Sequence, residues 1–179
     1  MNIDEFVQNS FGRWKSQRSG HNLAFQHFED VLSTIDITPV ASDDNAVLAL
    51  CKLSNILPES VTNPFKMEWE GQSDWDDDEI TKGSCILVPV PDRETPNTGQ
   101  LLRSQGYAET IAATGRYRIT EDDVFFLETT YDRAAAEERI WFGTPNLRFR
   151  VSLIKTSDGQ GVLTASFASE IRLMKTPSE

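Results

Sequence analysis

From residue 64 onward the sequence is interrupted by turn chemistry so often that no stretch between breaks can hold a long helix. Asp76-Asp77-Asp78, Pro91-Asp92, Pro96-Asn97, Glu121-Asp122, Pro145-Asn146 and Asp158-Gly159 bound the segments. These lie at about 65–75, 83–90, 99–107, 111–119, 124–131, 136–143, 147–155 and 162–174. Short segments repeating every 8–13 residues or so predict an antiparallel sandwich or barrel and exclude a βαβ fold.

Upstream, residues 2–11 read as an amphipathic helix. Ile3, Phe6, Val7 and Phe11 share one face, Asn2 and Glu5 form a capping box, and Gly12 ends it. Such a helix suits the open end or edge of a β structure. Two further strands are expected near 13–18 and 28–37, and a second helix over about 44–54, capped at Ser42-Asp43-Asp44. The total is about ten strands in one domain, residues 1–179. This is the pattern of a mainly β, lipocalin-like or fatty-acid-binding-protein-like up-and-down barrel, in which eight strands already enclose room for one small ligand.

Charge narrows the partners. With 17 basic and 28 acidic residues the net charge is −11, which argues against nucleic acid and anionic membrane surfaces. No apolar run approaches the 18 or so residues of a membrane-spanning helix, and the N-terminus lacks the basic start of a signal peptide. Cys51 and Cys85 are too few for a disulfide framework and stand in no metal-ligand spacing, so a reducing, soluble compartment is expected.

The segment 139–154 forms a predicted hairpin around Gly143-Thr144-Pro145-Asn146. In its second strand Leu147, Phe149, Val151 and Leu153 fall on one face, and Arg148, Arg150 and Ser152 on the other. The arginines either face water around a packed core or line a cavity, where guanidiniums about 7 Å apart can each grip a carboxylate bidentately. Met67, Trp69 and Trp75 share a face, as a polarisable wall for a planar ligand or as core. Glu138 lies among apolar neighbours, either as a buried acceptor or proton carrier or as a surface partner of Arg139. Arg139 and Trp141 share the opposite face from Glu138, so Glu138 and Trp141 both enter one cavity only if a bulge intervenes. His21 and His27 are the only histidines, and no nucleophile motif flanks either cysteine. The acidic run Asp74–Glu79 lacks the glycine and ligand spacing of a calcium loop and reads as a solvated turn.

Three stretches are more particular than strand chemistry requires. They are Phe11-Gly-x-Trp14-x-Ser16-Gln17-Arg18-Ser19-x-His21-x-Leu23-Ala24-Phe25-x-x-Phe28-Glu29, Met67-x-Trp69-x-Gly71, and Glu138-Arg139-Ile-Trp141-Phe-x-x-Pro145-Asn146-Leu147-Arg148-x-Arg150-x-Ser152. Together they resemble the S/U-type (CpcS/CpeS-like) phycobiliprotein lyases over nearly the whole chain. The resemblance implies a ten-stranded lipocalin-like barrel that binds a linear tetrapyrrole (a bilin such as phycocyanobilin or phycoerythrobilin) without a covalent bond. It implies delivery of that bilin to a cysteine of a phycobiliprotein subunit as a thioether at the A-ring ethylidene. The nucleophile is then the partner's thiol, and the bilin is substrate, with no other cofactor and no metal.

On that reading Arg148 and Arg150, with Arg18, hold the propionates, and Glu138 accepts from ring N–H groups or assists protonation. Trp69, Met67, Trp75 and Trp141 wall the face, while His21, Arg139 and Ser152 complete the binding set. The setting implied is a cyanobacterial cytoplasm or plastid stroma, with the chain acting alone, as a homodimer or beside a related lyase subunit. A non-enzymatic carrier of a carboxylated apolar ligand, or a solid interaction barrel, stands as the alternative.

Overall fold

The computed structural model describes residues 1–73, 76–104, 112–158 and 160–174. Helix α1 (Ile3–Ser10) leads into β1 (Gly12–Asn22) and β2 (His27–Pro39); α2 (Asn45–Leu53) and a short 3₁₀ turn (Pro58–Ser60) follow. Then come β3 (Phe65–Ser73), β4 (Asp76–Pro91), β5 (Thr98–Arg103), β6 (Ala113–Ile119) and β7 (Phe125–Thr130). The last three are β8 (Ala134–Thr144), β9 (Leu147–Thr156) and β10 (Val162–Arg172). Each strand pairs antiparallel with its neighbour in sequence, and β1 pairs with β10, from Trp14 opposite Arg172 to Asn22 opposite Thr164, to close the barrel. The expected ten-stranded barrel with two helices is therefore the observed one. The Asp76-Asp77-Asp78 run, expected as a turn, instead opens β4.

The two helices do different work. Asn2 accepts from the Glu5 amide and its own amide donates to the Glu5 carboxylate, so the capping box fixes the start of α1. Ile3, Phe6 and Val7 then pack among Trp14, Ile37, Phe65, Ile119 and Phe125, which stand at the ends of strands that meet at one rim. Phe6 stacks on Phe125 with ring centroids 4.3 Å apart. Helix α1 is a plug for that end. Arg172 secures it by donating to the Asn9 and Phe11 carbonyls, a cation placed at a helix C-terminus. Helix α2, capped by Asp44, lays Val47, Leu50 and Cys51 on Val88, Val90 and Leu102, outside the barrel wall.

The outer face of β8–β10 carries a ribbon of rings: Trp141 against Phe149 (5.5 Å) and Phe149 against Phe167 (5.9 Å). Among the described residues no helix is long and apolar enough to cross a membrane.

Candidate functional site

With α1 filling one end, the open half of the barrel holds a cavity of about 670 Å³, within the range of small-molecule sites. Inward positions of β1, β2, β9 and β10 supply a polar wall that includes Arg18, Glu29, Arg150, Ser152 and Glu170, and His21, of the opposite parity to Arg18, borders it beside Phe28. Strands β3 and β4 supply Met67, Trp69 and Cys85 opposite. The lining is thus divided into a basic, hydrogen-bonding side and a flat sulfur-and-indole side. Trp69 keeps its place through Gly83, its partner across β3–β4. A Cβ on Gly83 would come within 2.2 Å of the indole, so only glycine leaves room for the ring over that strand.

The hairpin of β8 and β9 decides which side chains point inward. Its register runs unbroken from Ala134 opposite Thr156 to Phe142 opposite Arg148, with one irregularity only at the tip, between Phe142 and Thr144. Strict alternation follows: Ala136, Glu138 and Ile140 go in, and Arg139 and Trp141 go out. The tip irregularity comes too late to bring Glu138 and Trp141 to the same side. Trp141 is therefore corrected to the outer aromatic ribbon, and Arg139, its side chain 54% exposed, to an outer salt bridge with Glu137 that Lys155 shares. Trp75 lies outside the described residues.

Arg148 points inward, as expected, but does not reach the cavity. It is 1% exposed, bonds Glu170 through Nε at 2.5 Å, and lies over the Trp14 ring at 4.7 Å. Trp14 is fixed in turn by donating Nε1–H to the Ser10 carbonyl at 2.9 Å. Glu138 is also buried behind the wall. Its carboxylate accepts from Arg103 at 2.8 Å and stands 3.7 Å from Arg150, whose Nε stands 3.7 Å from Glu170. Arg103, Glu138, Arg150, Glu170 and Arg148 therefore alternate in charge along one row, of which Arg103, Arg150 and Glu170 line the cavity and Glu138 and Arg148 stand behind it.

Burial pushes the Glu170 carboxyl up, but Arg150 and Arg148 together pull it down further, so it sits below the ordinary carboxylate range. At the outer part of the cavity Arg18 and Glu29 form a looser, half-exposed pair at 3.6 Å.

Of the residues expected at a site, Arg18, His21, Met67, Trp69, Arg150 and Ser152 gather around one cavity. Glu138 and Arg148 stand one layer behind it. Sequence reasoning missed Arg103 and Glu170. Glu170 falls opposite Arg148 only after the β9–β10 register shifts between Val162 and Thr164, so counting from the strand ends in the sequence did not give the pair. Arg103 follows Leu101 and Leu102, which are buried on opposite faces of β5, so no alternation marked its direction.

The Ser152 hydroxyl, Arg103 Nε and one terminal nitrogen of Arg148 are buried without a hydrogen-bond partner among the described residues. Buried donors are ordinarily satisfied; of these three residues Ser152 and Arg103 line the cavity and Arg148 does not.

The model of the CpeS-like protein family covers residues 2–173. The chain is 63% identical over 172 residues to the chromophore lyase CpcS/CpeS 3 of Trichodesmium erythraeum, spanning 96% of this chain and 99% of that one. It is 58% identical over 158 residues to a CpeS of Microchaete diplosiphon named as a candidate phycoerythrobilin lyase, spanning 88% and 71%. The solved S-type phycobiliprotein lyase CPES from Guillardia theta superposes with a TM-score of 0.86 at 49% identity, spanning 98% and 95%.

Proposed function

The chain belongs to the CpeS-like family, and from that premise we infer that it is a bilin lyase, taking up a linear tetrapyrrole and attaching it to a phycobiliprotein cysteine. The observation that carries this reading is the divided cavity, with guanidiniums and hydroxyls on one side and Met67 and Trp69 on the other. A bilin has a long conjugated face and two propionates, and the two sides answer those two chemistries.

Arg18, Arg150 and Ser152 meet the polar groups, and His21 lies nearer the opening. Met67 and Trp69 stack on the face, while Glu138, Glu170 and Arg148 hold the arginine row in position. In the transfer step the acceptor's S–H bond breaks, a C–S bond forms at the ethylidene carbon, and the proton ends on the ring system. Catalysis is then chiefly positioning: one conformer is held so that addition occurs at one carbon and from one side. The partners in this reading are an apo-phycobiliprotein subunit and, over the ribbon Trp141–Phe149–Phe167, a second copy of the chain or a related lyase subunit.

The test is to mix the protein with phycoerythrobilin or phycocyanobilin and an apo-subunit, denature, and look for zinc-enhanced bilin fluorescence on the acceptor band. Covalent product well above the lyase-free control is expected. Tight bilin binding without any such product, across both bilins and all phycobiliprotein subunits, makes the protein a carrier instead.

A further inference from the structure

The buried row has three guanidiniums and two carboxylates, so within the row itself guanidiniums outnumber carboxylates by one. Guanidiniums are costly to hold away from water, and an excess of them over carboxylates favours an anion within reach of their remaining donors. Arg148 cannot receive it from the cavity, being sealed under Glu170 and against Trp14. The members of the row that do line the cavity are Arg103, Arg150 and Glu170. Arg103 is 5% exposed, gives one terminal nitrogen to Glu138, and keeps Nε without a partner among the described residues. It comes from β5 and Arg150 from β9, and the two reach toward the same Glu138 of β8 from opposite sides.

We propose that Arg103 is a ligand-binding residue that, with Arg150, receives one carboxylate of the molecule held in the cavity. Glu138 is its orienting partner, taking one edge of the guanidinium so that the remaining donors stay directed at the ligand. For the identity of that molecule the proposal rests on the bilin reading, in which the carboxylate is a propionate.

The experiment compares a bilin as free acid and as dimethyl ester, titrated by absorbance against the wild type, Arg103→Gln and Arg103→Lys. Esterification removes the charge and leaves the conjugated face intact. Wild type is expected to favour the free acid. Arg103→Gln should lose roughly tenfold or more of its affinity for the acid while the ester's changes by less than about twofold, the scale of a charge-assisted hydrogen bond. Arg103→Lys keeps the charge, which guards against unfolding, and should lose several-fold for the acid alone because the fork geometry is gone.

Equal weakening of acid and ester in both variants overturns the proposal and leaves Arg103 a purely structural support for Glu138. Unchanged acid affinity overturns it as well. If wild type binds no bilin, the bilin reading falls by itself. The same variants are then titrated with a long-chain polyene fatty acid and its methyl ester, where selective loss for the acid upholds Arg103 as an anion-binding residue and its absence overturns that role.

Discussion

A residue such as Glu170 illustrates why a buried charge is judged by what remains when it is removed. The carboxylate is 1% exposed and sits between Arg148 and Arg150, so its loss would strand a sealed guanidinium. Glu170→Gln is expected to destabilise the fold by about 3–5 kcal/mol, measured by urea denaturation near neutral pH. The pH dependence has a defined sign. Because its folded pKa is depressed, the stability Glu170 contributes is present in full above its unfolded value, about 4.3, and is lost as pH falls through the folded value. Wild type should lose stability on acidification below roughly pH 5, and the Gln variant should show a shallower slope in the same window. A variant with the wild-type slope would show that Glu170 titrates alike in the folded and the unfolded chain, and that its pairing with Arg148 and Arg150 does not depress its pKa. The arginine stripe of β9 was visible in the sequence, but the partners that distinguish Arg148 from Arg150 were not. Both have the same parity; only Glu170 from another strand and Trp14 beneath make one sealed and the other accessible.

At the scale of elements, the plug and the wall are separable. Phe6 is the central contact of α1, stacked on Phe125 and edge-on to Phe142 at 6.0 Å. Phe6→Ala is expected to cost about 3–5 kcal/mol, read from the urea midpoint, as for other buried aromatic truncations. The sequence made this helix legible down to its cap, because a capping box and an apolar stripe are local signals that need no tertiary context. Strand number and order were equally legible, since turn residues punctuate each strand and consecutive strands pair. The inward or outward direction of one strand was not, where the candidate set took both Glu138 and Trp141. Alternation alone forbids that pair, and the unbroken β8–β9 register enforces the prohibition. The Gly83 seat under Trp69 was also hidden, because it depends on which residue of β4 lies opposite the indole.

For the whole molecule, a ligand held inside a closed barrel stabilises only the folded chain. Bilin at a hundred times its Kd should add about 2.7 kcal/mol, raising Tm by roughly 5–10 °C for a protein of this size in a thermal melt. No shift under those conditions would mean that the cavity does not take the bilin. The α1 plug has a further consequence that belongs to kinetics. With one end of the barrel filled by Ile3, Phe6 and Val7, cargo and the acceptor's thiol are expected to reach the cavity by the same route, away from that end. Loading and delivery then compete for one doorway. The expected outcome is a compulsory order, bilin first and acceptor second. Excess acceptor added before the bilin should slow turnover by occupying empty enzyme, a substrate inhibition that relaxes as bilin concentration is raised.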